Sequence, residues 1–256
     1  MLLAIHSYSY KLTKPQWRRQ LDKLEKRLSD ISGKILDVAA GRGSSLKYLI
    51  DNINGFEQAV GIDYSEKNLK QAIQQFDDER VSFEQMHAEN LEFDDNQFDL
   101  SAVVNSLHHI DDPQKALHEM YRVLKPGGLL LVSEMYSDNQ SEQQMTHVLL
   151  HHWWADVDSI SDIPHYHTFK RQELIDMVEN LKLKNLEIME YNEDKDLSRD
   201  KETMSYLLNA TDDYLSRIEN KPEHKELYQT GIDLKMRLSE TGIAWAKGLA
   251  IWGKKA

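Results

Sequence analysis

The chain has no cysteine, so neither disulfides nor thiolate metal sites contribute to it. It also lacks any apolar run near the ~18 residues that a membrane-spanning helix needs. Met1 to Ile5 is apolar, but no basic segment precedes it and no long apolar segment follows, as a secretory leader would require. The expectation is a soluble, cytoplasmic protein with no membrane partner. Positive charge is short as well: 31 Lys and Arg stand against 43 Asp and Glu, a net charge of −12. Nucleic-acid binders present a basic surface to the phosphate backbone, so no nucleic-acid partner is expected. The local exception is Lys11, Lys14, Arg18, Arg19, Lys23, Lys26, Arg27 and Lys34, which reads as a solvated helix face. No internal repeat or low-complexity tract appears.

What is present centres on Lys34 to Leu49. Ile35, Leu36 and Val38 form a short apolar run suited to a strand buried on both faces. The chain then turns through Ala39, Ala40, Gly41, Arg42 and Gly43 and enters a helix at Ser44 or Ser45, residue types that cap helix starts. Small residues let the backbone approach a ligand, and the helix start offers free N–H groups and a positive dipole end. Asp37, just before the turn, is placed to order the loop or to hold an amine. Strand, glycine turn and helix make a nucleotide-type binding site.

The rest of the first half repeats this alternation. Pro15 opens a helix running to about Ser29, with Trp17, Leu21, Leu24 and Leu28 on one stripe. Strands are predicted at 58–63, 81–86, 98–105 and 129–133, with helices from Ser65 and from Asp112 between them. Lys125-Pro-Gly-Gly128 ends the last of these helices. Alternating strands and helices imply a parallel sheet with right-handed crossovers. After 136 the pattern changes. Residues 136–170 hold His147, His151, His152, His165 and His167 with Trp153, Trp154, Tyr166 and Phe169, but no strong strand. A helix over 170–181, a strand over 186–191, amphipathic helices over 199–220 and 222–240 and a closing strand over 243–252 follow. One domain, 1–256, is read, with an N-terminal helical cover at 1–30 and insertions at 136–182 and 192–241.

A dinucleotide fold wants a third glycine in its turn. Here Gly41-x-Gly43-x-x-Leu46 puts leucine there, which weakens a nicotinamide reading. The stronger signal is an ordered set of features at the carboxyl ends of successive strands: the 35–43 turn, Gly61-Ile-Asp63-Tyr64-Ser65, His87-Ala88-Glu89-Asn90-Leu91, Asn105 to Ile110, and Arg122 to Gly128. On these residues the chain resembles the class I S-adenosylmethionine-dependent methyltransferases, in the small-molecule branch that includes the ubiquinone and menaquinone methyltransferases. The resemblance is close over roughly 30–135, with Ala39 standing where the family usually has its first glycine.

That resemblance implies a Rossmann-like α/β fold: a seven-stranded, mostly parallel sheet with helices on both faces. The last strand is antiparallel, between the fifth and sixth. It implies S-adenosylmethionine as cofactor and methyl transfer to an oxygen, nitrogen or carbon of a small-molecule acceptor, with the insertions building the acceptor pocket and lid. Asp37, Ala39, Ala40, Gly41 and Gly43 would face the methionine part, and Asp63 with Tyr64 the ribose. His87, Ala88 and Glu89 would line the adenine, although the family often has aspartate at His87, and Asn105 to His109 would face the sulfonium.

Methyl transfer is an in-line displacement, so a base is needed only where the acceptor must lose a proton. His109, ahead of His108, is the candidate base; the competing reading is that both pack against the cofactor or hold the loop. His147 and His151 are four apart on one helical face, a spacing that can chelate a metal. His165 and His167 could add ligands, and Asp156 or Asp158 a carboxylate. The plainer reading is a histidine- and aromatic-rich pocket wall, and no metal is assigned. A non-catalytic binder of the cofactor is a further alternative. Arg171 suits an acidic substrate or a helix surface equally, and Tyr8, Tyr10 and Trp17 suit a cover over the cofactor or plain core. Oligomeric state is left open.

Overall fold

The computed structural model describes residues 18–192, 197, 198 and 200–256. Expectations for Tyr8, Tyr10, Pro15 and Trp17 lie outside these. In chain order the elements are α1 (Arg18–Ser29), β1 (Lys34–Val38), α2 (Ser44–Asn52), β2 (Gln58–Asp63), α3 (Glu66–Ile73), β3 (Val81–Gln85), β4 (Phe98–Val104), α4 (Pro113–Val123) and β5 (Leu124–Met135). They continue with α5 (Glu142–Ser159), α6 (Arg171–Glu179), β6 (Lys184–Tyr191), α7 (Lys201–Ile218), α8 (Lys225–Glu240) and β7 (Gly248–Lys254). None of the described helices is long and apolar enough to cross a membrane.

The strands form one seven-stranded sheet in the order β3-β2-β1-β4-β5-β7-β6. Pairs from β3 to β5 are parallel, with Ile35 opposite both Ala59 and Leu100. Lys255 bonds Gly127 and Gly128 at the start of β5, whereas Lys247 accepts from Tyr136 just beyond its end, so β7 runs antiparallel. Period-two alternation puts Ile35, Ala59, Leu100, Ala102, Leu129, Leu131, Met189, Ala250 and Trp252 in one core with Leu24 and Leu28 of α1 and Leu46 and Leu49 of α2. The Rossmann-like α/β architecture is as expected.

The residues fall into two compact units. The first holds the described chain to Glu134, with Gln172–Tyr191 and Leu249–Ala256; the second holds Met135–Arg171 and the described part of Asn192–Gly248. In the second unit α5 and α7 both pack on α8. The Trp153 indole lies against the backbone of Gly231, where a Cβ would also meet Leu215 Cδ2 at 2.7 Å, and its Nε1 donates to the Leu227 carbonyl at 2.8 Å.

Three elements depart from the sequence reading. α5 is an 18-residue helix buried nearly all round, and a helix without a polar face leaves no stripe to detect. The closing strand begins at Gly248, not 243. Ala244 and Ala246 spend their N–H groups on the Gln143 carbonyl and His147 Nδ1, outside any sheet ladder. β5 begins at Leu124 rather than 129: its register against β4 slips between Leu124 and Leu129, with the slack taken up at Gly127, φ +79°.

Arg122 explains part of the Arg122–Gly128 pattern. Its guanidinium donates to both Glu119 oxygens, to Asp95 and to the carbonyls of Leu91 and Phe93, each at 2.8 Å. It thereby fastens the loop before β4 to α4. Five charge-assisted bonds from one partly buried group predict that Arg122→Ala lowers unfolding free energy by about 2–3 kcal/mol, measured by urea titration; Arg122→Lys, a point charge, should recover less than half.

Candidate active site

The predicted residues of the first unit gather at the carboxyl ends of β1, β2, β3 and β4, where an open α/β sheet places its ligands. Ala39, Gly41 and Gly43 take positive φ of 54°, 55° and 86°, and Gly43 N–H closes the turn on the Ala40 carbonyl at 2.8 Å. Alanine at 39 accepts the left-handed backbone at a small steric cost. Ala40 is drawn onto β2 by an N–H to the Ile62 carbonyl at 2.8 Å. Gly61 lies between the turn and β3: a Cβ there would meet Phe83 Cε1 at 2.6 Å and Ala40 Cβ at 3.1 Å.

Asp63, buried at the end of β2, joins two loops. Its Oδ2 accepts the Gly41 N–H at 2.9 Å and its Oδ1 the Ser65 N–H at 2.8 Å. Burial raises its pKa, and those two N–H groups oppose the rise. Tyr64 follows on the surface, its ring stacked at 23° with that of His87, centroids 6.4 Å apart. Ala88 beyond is buried, and Glu89 accepts the Asp112 N–H at 3.3 Å.

Neither Ser44 nor Ser45 caps α2; Gly43 holds the cap position without a side-chain bond. Ser45 instead donates its hydroxyl to Asp37 Oδ2 at 2.5 Å. Asp37 is fully buried, and its Oδ1 has no hydrogen-bond partner among the described residues. Burial pushes its pKa up to about 7, the Ser45 bond opposes this, and the neighbouring Asp63 charge adds to the rise.

At the end of β4, Asn105 adopts φ +48° and its N–H bonds the Ser133 carbonyl at 2.7 Å. The next residues form a short 3₁₀ turn, Leu107–His109. Glu134 Oε2, which the sequence reading missed, accepts the Leu107 N–H at 2.9 Å and lies 2.9 Å from His108 Nδ1. His108 and Glu134 are both buried, while His109 is half-buried with its ring 4.4 Å from that of His108. Tyr191, from β6, bonds Ser133 Oγ at 3.1 Å. Glu134 was hidden because it sits on an apolar strand whose periodicity only marks core.

In the second unit the five histidines do not act as one group. His147 Nδ1 accepts the Ala246 N–H at 3.0 Å, and His152 Nε2 accepts the Thr168 N–H at 3.1 Å. His167 Nε2 lies 2.7 Å from Asp156 Oδ1, and its ring stacks on that of His152. His151 and His165 meet through their Nε2 atoms at 3.3 Å. Arg171 opens α6, its N–H bonded to Asp138 Oδ1 at 2.7 Å.

Residues 36–132 match the family model described as a methyltransferase domain. The chain is 39% identical over 105 residues to the ubiquinone/menaquinone biosynthesis C-methyltransferase of Psychromonas ingrahamii, an alignment covering 40% of this chain and 42% of that one. It thus spans less than half the length of the curated relatives it matches. Among solved structures, YcgJ of Bacillus subtilis superposes with a TM-score of 0.60 at 19% identity, over 93% of this chain and 98% of that one. A phosphoethanolamine N-methyltransferase of Haemonchus contortus, complexed with phosphomonomethylethanolamine and S-adenosylhomocysteine, superposes with a TM-score of 0.56 at 19% identity, over 93% and 52%. Residues 36–132 thus resemble a methyltransferase domain, and the fold is one shared with these solved structures.

The raised Asp37 has a measurable consequence. A carboxyl whose folded pKa lies above its unfolded value of 3.8 gives stability that is complete below that value and lost as pH rises through about 7. The wild type should therefore lose stability against Asp37→Asn between about pH 4 and 7, by about 2–4 kcal/mol. Urea unfolding of both proteins across that range tests this, and a constant difference would remove the assignment.

Proposed function

We propose that the chain transfers a methyl group from S-adenosylmethionine to a small organic acceptor. One arrangement carries this reading. Asp63 braces the glycine turn from the end of β2, while Asp37 keeps a buried oxygen without a partner among the described residues. A carboxylate oxygen that accepts one N–H retains a lone pair, so Asp63 can also accept from the two ribose hydroxyls. The orphan oxygen of Asp37 suits the cationic amino group of the methionine part, which would favour the ionised carboxylate that burial disfavours. The exposed rings of Tyr64 and His87 offer flat surfaces to an adenine, with Ala88 and Glu89 beside them. Ala39, Ala40, Gly41 and Gly43 bring backbone, without bulk, to the methionine side.

When bound, the cofactor supplies an activated methyl group on a sulfonium. The chain's own residues hold it, exclude water and align the acceptor for in-line displacement. Asn105 starts the loop that would face the sulfur. His109, the more accessible of the histidine pair, is the candidate to take a proton from the acceptor; His108 is set by Glu134. The similarity to a C-methyltransferase makes carbon the first acceptor atom to test, with oxygen and nitrogen nucleophiles after it. Acceptor choice is assigned to the second unit, which lies beyond the 36–132 segment matched by the family model.

Calorimetry tests the donor. S-adenosylhomocysteine should bind the wild type and bind Asp63→Ala about 10–100-fold more weakly, the loss expected for two charge-assisted bonds, while NAD should bind neither. Equal binding by both proteins would defeat the role of Asp63, and preference for NAD would defeat the whole reading. With an acceptor found by S-adenosylhomocysteine release, His109→Ala should lower kcat about a hundredfold at unchanged donor affinity. An unchanged rate would make His109 a packing residue, and no turnover with any acceptor would favour a non-catalytic binder.

A further inference from the structure

We propose that the second unit binds a divalent transition-metal ion between the imidazoles of His151 and His165. The sequence spacing pairs His147 with His151, but their rings lie 6.5 Å apart and nearly perpendicular. The facing nitrogens belong instead to His151, on α5, and His165, in the loop that returns after it. Their Nε2 atoms are 3.3 Å apart. That is the long end of the range for a hydrogen bond between two ring nitrogens. It equals the edge of a tetrahedral site, because two nitrogens each 2.0–2.1 Å from one ion lie about 3.3–3.4 Å from each other.

The surroundings prepare His165 to ligate. Its Nδ1 lies 2.9 Å from Asp158 Oδ2. With Nδ1 donating to that carboxylate, Nε2 presents its lone pair towards His151. Tyr214 donates to Asp158 Oδ2 at 2.7 Å and Arg217 to Oδ1 at 2.6 Å, so the carboxylate cannot turn away. A carboxylate bonded to the far nitrogen of a histidine is the common support of a metal ligand, fixing its tautomer and raising its basicity.

The loop is itself tied down. Ser161 and Ile163 return their N–H groups to the Asp158 carbonyl at 2.9 and 3.2 Å. His151 and His165 are buried, so the rings enter the site with little freedom left to lose. Two imidazoles select zinc, nickel, copper or iron over magnesium or calcium. The remaining coordination positions are left to water or other groups. The proposal is independent of the methyl donor.

The test uses the 256-residue chain, stripped by a chelator and titrated with Co²⁺ by visible absorption and with Zn²⁺ by competition against a chromophoric chelator. One equivalent should bind, with the ligand-field bands of a nitrogen-ligated cobalt. Affinity should fall about a hundredfold in His151→Ala and in His165→Ala, and about 10–100-fold in Asp158→Asn. His152→Ala, whose nitrogen is held by Thr168, should bind as the wild type does. Thermal melts identify variants that fail to fold, for which His151→Gln and His165→Gln substitute. X-ray absorption of the zinc-loaded wild type should show two imidazoles. Failure of the wild type to bind stoichiometrically, binding undiminished without either histidine, or absorption lacking imidazole scattering would each overturn the proposal.

Discussion

The position of the first unit's loops depends on one carboxylate removed from water. Asp63 ends β2 buried, and burial of a charge is tolerable only where hydrogen bonds replace hydration. Its two oxygens take the N–H groups of Gly41 and Ser65, one from the turn after β1 and one from the start of α3. A single side chain thus sets the spacing between two strand ends. Gly61, two residues earlier, leaves the room that Phe83 and Ala40 occupy. Asp37 then adds a second carboxyl to the same region, and the Asp63 charge helps to keep it protonated. Among the described residues no hydrogen-bond donor meets the second Asp37 oxygen, so the two carboxyls raise each other's cost of ionisation in one buried region.

Much of this was legible in the sequence because it depends on short-range constraints. A strand buried on both faces leaves an apolar run, a left-handed turn leaves glycines, and a carboxylate at a strand end sits next to both. β2 was predicted at its observed bounds for that reason. Helix α4 was equally plain, with Asp112 capping it and Pro113 in its first turn. Where a residue had two physical uses, pattern could not choose between them. Ser45 is as good a cap as any serine, but its hydroxyl is spent on Asp37, and Gly43 takes the cap position.

Other features were illegible because they depend on partners distant in sequence. The apolar, aromatic run from Ile243 to Trp252 reads as a strand throughout. Only the demands of Gln143 and His147 for the N–H groups at 244 and 246 delay β7 to Gly248. α5 carries its polar residues inward: Gln144, Thr146, His147, His151 and Asp158 are all buried. Amphipathic periodicity assumes that polar means outward, so this helix defeats it. Four of these groups, Gln144, Thr146, His147 and Asp158, take partners from Asn192, Arg237, Ala246 and Arg217, 48 to 99 residues away.

The two units therefore differ in how their chemistry is encoded. The carboxyl ends of the sheet use backbone N–H groups, glycine conformations and two aspartates, a solution that spacing alone records. The second unit uses side-chain pairs brought together by packing: His165 is oriented by Asp158, and Asp158 is held by Tyr214 and Arg217. Replacing Arg217 would leave a buried carboxylate short of a partner, and the cost would fall on the tautomer of His165 rather than on any feature visible nearby in sequence. That asymmetry fits a family model that matches 36–132 and stops near Val132: short-range spacing leaves a pattern that comparison can follow, and long-range packing leaves none.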